Sequence, residues 1–81
     1  MVYVAEFKQW LSKNTTYSHA VIIDLASRIK RADSILEFRN DELYLFYLEK
    51  QKGFMELSVS VRSQVRKSVR LYAEFLKQIE G

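Results

Sequence analysis

Four basic side chains occur near the C-terminus between Ser58 and Tyr72, with no acidic residue among them: Arg62, Arg66, Lys67 and Arg70. Helical residues turn by about 100° per position, so the three arginines fall together on one side of a helix and the valines between them on another. Solvent-facing helices usually mix charges of both signs, so a one-signed face favours contact with a polyanion such as the phosphate backbone of DNA. We therefore predict phosphate contacts from these four side chains, with a solvated helix face as the alternative.

Two further groups of side chains are predicted to assist at the phosphates. They are the cations Arg28, Lys30 and Arg31 in an earlier helical segment and the hydroxyl groups of Ser60 and Ser63. Asp24 and Asp33 lie three or four positions from members of the cationic group, so intrahelical ion pairs are the alternative role for these cations. Helix capping is the alternative role for serine.

Residue types that carry catalysis or bind metal ions are scarce. Histidine occurs once and cysteine does not occur. Tyr44, Tyr47 and Tyr72 lie on apolar faces, where a core position with a polar tip is the expected role. Asp41 and Glu42 are adjacent at a predicted helix start, where they complement the helix dipole and do not converge on a reacting atom. We predict no catalytic residue, no metal site and no cofactor.

Length and composition limit the architecture. A chain of 81 residues that is 48 % hydrophobic predicts one domain, spanning residues 1–81, with a single core. Because cysteine is absent, this domain must fold on packing alone, which at this size favours helices. The sequence shows neither a signal-peptide pattern nor an apolar stretch of about 20 residues, so we expect a cytoplasmic protein without a membrane segment.

Hydrophobic periodicity predicts a compact all-α, four-helix bundle. The predicted helices cover about 4–11, 18–37, 41–53 and 58–79, with Ser18, Asn40 and either Ser58 or Ser60 as N-caps and Gly53 as the end of the third helix. Core-facing positions are Trp10, Val21, Leu25, Ile29, Phe46, Val65, Val69, Tyr72 and Ile79. The third helix is apolar almost all round, so it must be buried on several sides or lend a face to a partner.

The order of these elements is similar to that of a known domain. A short helix ending in Trp10-Leu11, a long helix containing Ser27–Arg31, a third helix starting at Asn40–Leu43 and a last helix reading Ser60–Leu76 together resemble the SAM-like, N-terminal core-binding domain of tyrosine recombinases and phage integrases. In the last helix the residues that fit the family pattern are Ser60, Val65, Arg70, Leu71, Tyr72 and Phe75. The second helix departs more, since residues such as Val21 and Leu25 replace the threonine and tyrosine of the family.

The resemblance implies a domain that clamps one side of duplex DNA with its second and fourth helices, while a separate catalytic domain clamps the other side. That catalytic domain would belong to the same longer chain if this sequence is a fragment. The expected function is therefore DNA binding within a site-specific recombinase or integrase. The residues themselves leave an alternative open, a protein–protein interaction or dimerisation module built on the apolar third helix, with Phe54 and Met55 just beyond it.

Overall fold

Five α-helices make up the regular structure of the chain in this computed structural model, which describes residues 2–80. They are α1 (Val4–Asn14), α2 (His19–Ile35), α3 (Tyr44–Glu49), α4 (Lys52–Met55) and α5 (Val59–Glu80). No strand occurs in this part of the chain. The predicted all-α class is confirmed, although the region of the predicted third helix contains two short helices. The predicted domain, 1–81, extends one residue beyond the described part at each end.

Serine caps set the starts of the two long helices. The Ser18 hydroxyl accepts a hydrogen bond from the backbone N–H of Val21 at 3.3 Å. The Ser58 hydroxyl accepts one from the N–H of Val61 at 3.2 Å. Each bond satisfies an amide that the start of a helix leaves without an intrahelical partner. The Ser18 cap is confirmed, and of the two serines predicted for the last helix Ser58 is the cap, whereas Ser60 lies inside α5.

The predicted start of the third helix at Asn40 is wrong. A turn precedes α3, in which the Asp41 carboxylate accepts a hydrogen bond from the backbone N–H of Leu43 at 2.7 Å. Short polar side chains that bond nearby amides in this way compete with helix formation. Asp41 therefore shapes a turn instead of complementing a helix dipole, and the helix begins only at Tyr44.

The predicted end of that helix at Gly53 is also wrong. The chain leaves α3 at Lys50 and re-enters a helix at Lys52, with the intervening Gln51 in an extended conformation, so Gly53 lies inside α4. A Cβ atom at Gly53 would lie 3.4 Å from the side chain of Ile35. The glycine thus accompanies a close approach of α4 to the end of α2 rather than a break in the helix.

The core lies where α1, α2 and α5 meet. Rings of Phe7, Tyr72 and Phe75 form its aromatic part, with the Phe7 centroid 5.2 Å from that of Tyr72 and 5.7 Å from that of Phe75. The buried Ser68 hydroxyl donates a hydrogen bond to the backbone carbonyl of Leu25, which joins α5 to α2. The predicted core positions that are buried are Leu25, Ile29, Val65, Val69 and Tyr72.

Four of the core-facing positions predicted from periodicity are wrong or only partly right. Phe46 is 55 % exposed because the opposite face of α3 packs inward. Val21 and Ile79 are exposed as well, since they lie in the first turn of α2 and the last turn of α5, where neighbouring helices cover less of a side chain. Trp10 is half-buried, and its indole N–H donates to the side-chain oxygen of Gln78 at 3.0 Å.

Candidate nucleic-acid interface

The two flanks of α5 face different helices. Gln64 and Arg66 are two positions apart and so point about 200° away from each other. The Nε–H of Arg28 on α2 donates to Oε1 of Gln64 at 2.8 Å, which places α2 on that flank. Arg66 reaches Glu49 of α3 on the other flank. Arg66 therefore lies on the α3 side of α5, away from α2.

Arg66 is held on the α3 and α4 side. Its Nε–H and its Nη2 both lie 2.9 Å from Oε1 of Glu49. Its guanidinium carbon also lies 5.4 Å from the ring centroid of Phe54 on α4. The acid that neutralises Arg66 thus comes from another helix, although no acid lies near Arg66 on α5 itself.

Arg62 belongs to the same flank and is also engaged. Its Nε–H donates to the backbone carbonyl of Leu57 at 2.9 Å, and the side chain is half-buried. Leu57 precedes the Ser58 cap, so this bond ties the start of α5 to the connection from α4. Part of the Arg62 guanidinium is committed to the fold, which leaves fewer of its N–H groups for a phosphate.

An open groove of about 490 Å³ runs between α2 and the start of α5. Its lining residues are Ser27, Arg28, Lys30, Arg31, Ser34, Leu57 and Val61. Three of them are cations and none is acidic. Lys30 and Arg31 are exposed and make no ion pair within residues 2–80, while Arg28 bonds only the neutral amide of Gln64. The groove therefore concentrates positive charge, and no ion pair within residues 2–80 neutralises it.

The intrahelical ion pairs that were the alternative role for these three cations are not formed in the described part of the chain. Asp33 instead accepts a hydrogen bond from the backbone N–H of Phe38 at 2.9 Å, beyond the end of α2. Asp24 is exposed and lies beside a smaller cavity of about 200 Å³ that Arg28 and Lys67 also line. Its carboxylate therefore places a negative charge at the edge of this basic region.

The outward face of α5 carries the remaining predicted site residues. Ser60, Ser63 and Lys67 follow one another at helical spacing and are exposed, as is Arg70 one turn after Lys67. The Lys67 ammonium lies 4.7 Å from the ring centroid of Tyr17, so a cation–π contact orients it. Arg70 makes no ion pair or side-chain hydrogen bond with any residue between 2 and 80. Lys67 and Arg70 are thus more exposed than Arg62 and Arg66, which are partly buried and engaged within the fold.

Sequence reasoning did not select three polar residues of this region: Ser27, Ser34 and Gln64. The two serines share the outer face of α2 with Arg31, and this spacing was the available signal. Gln64 carried none, because its role depends on the approach of α2 to α5.

The tyrosine hydroxyl groups in the interior have structural roles. The Tyr44 hydroxyl donates to the backbone carbonyl of Leu36 at 2.6 Å, and that of Tyr72 accepts from the backbone N–H of Tyr3 at 2.8 Å. Burial raises the pKa of both phenols, and the negative charge of Asp33 adds to the pKa increase at Tyr44. Tyr47, predicted to lie in the core, is instead exposed. Within residues 2–80 no three side chains of histidine, cysteine, aspartate or glutamate gather where they could share a metal ion.

Comparison of the chain with protein-family models, with curated proteins and with solved structures gives no match in any of the three. Between residues 2 and 80, none of the helices combines the length and the apolar character that crossing a lipid bilayer requires.

Proposed function

We propose that this chain binds duplex DNA through its phosphate groups, with the groove between α2 and the start of α5 as the main contact. The observation that carries this proposal is the set of three groove cations, Arg28, Lys30 and Arg31, none of which has an ion-pair partner in the described chain. Lys67 and Arg70 extend the positive surface along α5. Clusters of this kind attract polyanions and release their counterions on binding.

The chemistry of the groove suits phosphate oxygens in particular. Arginine offers a planar fork of N–H groups that matches two phosphate oxygens, and lysine adds a compact charge. The hydroxyl groups of Ser27 and Ser34 line the same groove and can donate further hydrogen bonds. Contacts of this type fix position on the duplex and carry little sequence information, so we expect weak sequence preference from the isolated chain.

The resemblance to the core-binding domain of tyrosine recombinases extends this proposal. In that family the second and last helices contact DNA, and the groove described above lies between α2 and α5. We therefore propose that the chain is a non-catalytic DNA-binding part of a recombinase or integrase and acts beside a catalytic domain. Support for this step comes from helix order and charge placement.

Titration of duplex DNA across a salt series tests the proposal. The parent chain should bind with a dissociation constant of about 10⁻⁴–10⁻⁶ M near physiological salt and more tightly at low salt. Changing Arg28, Lys30 and Arg31 together to glutamine should flatten the slope of log affinity against log salt by about two to three units, because each lost phosphate contact removes about 0.9.

A matched control removes the same net charge elsewhere, by changing Lys8, Lys13 and Lys52 to glutamine. All three are exposed and lie outside the groove. The slope of this control should stay close to that of the parent. Equal flattening in both triples would show diffuse attraction to a basic protein, and absence of binding by the parent at low salt would overturn the proposal.

A further inference from the structure

The outward side of α3 carries large apolar side chains that the fold leaves uncovered. Leu43 is 56 % exposed, Phe46 55 % and Tyr47 51 %. With Lys50 they follow the spacing i, i+3, i+4, i+7, which places them on one face; these four residues are called the outer stripe. Spacing of this kind is typical of a helix face that packs against another helix.

Burial of the opposite side already secures α3 to the rest of the protein. Tyr44 and Leu48 point into the core and are almost completely buried. The outer stripe is therefore not needed to hold the helix in place. Contacts within the outer stripe orient its side chains. The ring centroids of Phe46 and Tyr47 lie 5.5 Å apart, and the Lys50 ammonium lies 4.7 Å from the Phe46 centroid.

Charges at the two ends of the outer stripe have opposite signs. The exposed carboxylates of Asp41 and Glu42 lie at its start, and the exposed ammonium groups of Lys50 and Lys52 lie at its end. Carboxylates at this position disfavour DNA as the occupant. A second copy of the same stripe, turned antiparallel, would bring each acidic end over a basic end.

We propose that the outer stripe of α3 binds the outer stripe of a second copy of this chain, antiparallel and about a two-fold axis near Phe46 and Tyr47. A two-fold interface must be self-complementary, and this one is so in residue type and charge: apolar residues at the centre meet apolar residues, and Glu42 of each copy meets Lys50 of the other. The inference goes beyond DNA binding, since it concerns a different surface and a different partner.

The size of the surface predicts a weak and reversible dimer. Three large side chains, each about half exposed, offer on the order of 300 Å² of apolar surface per copy. Stable complexes usually bury about 800 Å² per partner, so this contact belongs with transient interfaces. The dimer should therefore appear as a rise in average mass with protein concentration.

Sedimentation equilibrium from about 10⁻⁵ to about 10⁻³ M tests the dimer with two charge reversals, Glu42→Lys and Lys50→Glu. Each variant alone places like charges opposite each other at both ends of the interface and should weaken self-association about tenfold. An equal mixture of the two variants should associate at least as tightly as the parent, because every opposing pair is then of opposite sign. Phe46→Ser should weaken association without any recovery on mixing.

Matched controls separate this contact from general charge attraction. Glu74→Lys and Lys8→Glu change the net charge by the same amounts at exposed positions outside the outer stripe, and their mixture should associate no more tightly than the parent. Circular dichroism melts show whether each variant is folded. A parent that stays monomeric to about 10⁻³ M, or a mixture of the two α3 variants that is no tighter than either alone, would overturn the inference. DNA titration of the same variants is a separate readout, since the groove is unchanged in them.

Discussion

The two sides of α5 show how differently the same residue types are used. On the α2 side, apolar residues such as Leu25 are buried and the cations Lys30 and Arg31 are left exposed without ion-pair partners in the described chain. On the α3 side, the cation Arg66 is paired with Glu49, and apolar residues such as Phe46 are exposed. Charge counted along a helix is therefore a poor measure of charge that is available to a ligand.

Stability should show the largest difference between the two sides. Leu25→Ala removes a buried side chain of α2 and should lower the free energy of unfolding by about 2–5 kcal/mol, through lost apolar burial and the cavity that remains. Phe46→Ala removes an exposed side chain of α3 and should change that free energy by no more than about 0.5 kcal/mol. Urea unfolding followed by circular dichroism measures both, and equal losses would mean that the outer stripe is part of the core.

DNA binding should separate the two groups of cations at equal net charge. Changing Lys30 and Arg31 to glutamine should flatten the salt slope by nearly two units, since both face the groove without partners. Changing Arg62 and Arg66 to glutamine should flatten it by less than about one unit, because both are engaged within the fold. Equal flattening by the two double variants would show that Arg62 and Arg66 are as available to phosphates as Lys30 and Arg31.

Alkaline pH should weaken the packing that Tyr44 and Tyr72 provide. Burial raises the pKa of each phenol in the folded state above its value in the unfolded chain, so the folded state holds these protons more tightly. The contribution of these two phenols to the free energy of unfolding should be complete below a pH of about 10 and should decline as the pH rises further. Thermal melts across this range should show the decline, and melts that do not change with alkaline pH would contradict the assignment.

Tyr44→Phe separates the effect of the Tyr44 hydroxyl on α3 from that of the Tyr72 hydroxyl on α5. This variant loses the hydrogen bond to Leu36, at a cost of about 1 kcal/mol near neutral pH, and should show a shallower alkaline decline than the parent. Tyr47→Phe, at an exposed position three residues away, is the control and should melt like the parent.

Removing the carboxylate that pairs with Arg66 should give only small changes in both stability and DNA binding. The Arg66–Glu49 pair is partly exposed, so Glu49→Gln should cost at most about 1 kcal/mol of stability. The same change leaves the guanidinium without its acid and should steepen the salt slope of DNA binding by up to about one unit. Glu74→Gln, an exposed acid on α5 without a described partner, removes the same charge and serves as the control. Identical slopes for the two variants would show that Glu49 does not withhold Arg66 from DNA.

Local sequence determined the all-α class, the serine caps of α2 and α5 and the buried faces of both helices. The reason is that capping and 3.6-residue periodicity act between near neighbours, so the pattern around Ser18, Leu25 or Val65 contains the information it needs. It also named each cation of the proposed DNA surface, since charge is a property of residue type.

Tertiary structure alone decided which side of α3 faces inward and which cations remain accessible. A short helix that is apolar all round has no preferred face until it docks, so Phe46 and Tyr44 could not be told apart from spacing. The partner of Arg66 lies 17 positions away on another helix, and the groove around Lys30 exists only because α2 packs against the start of α5. Contacts between distant parts of a chain depend on packing that local patterns do not specify.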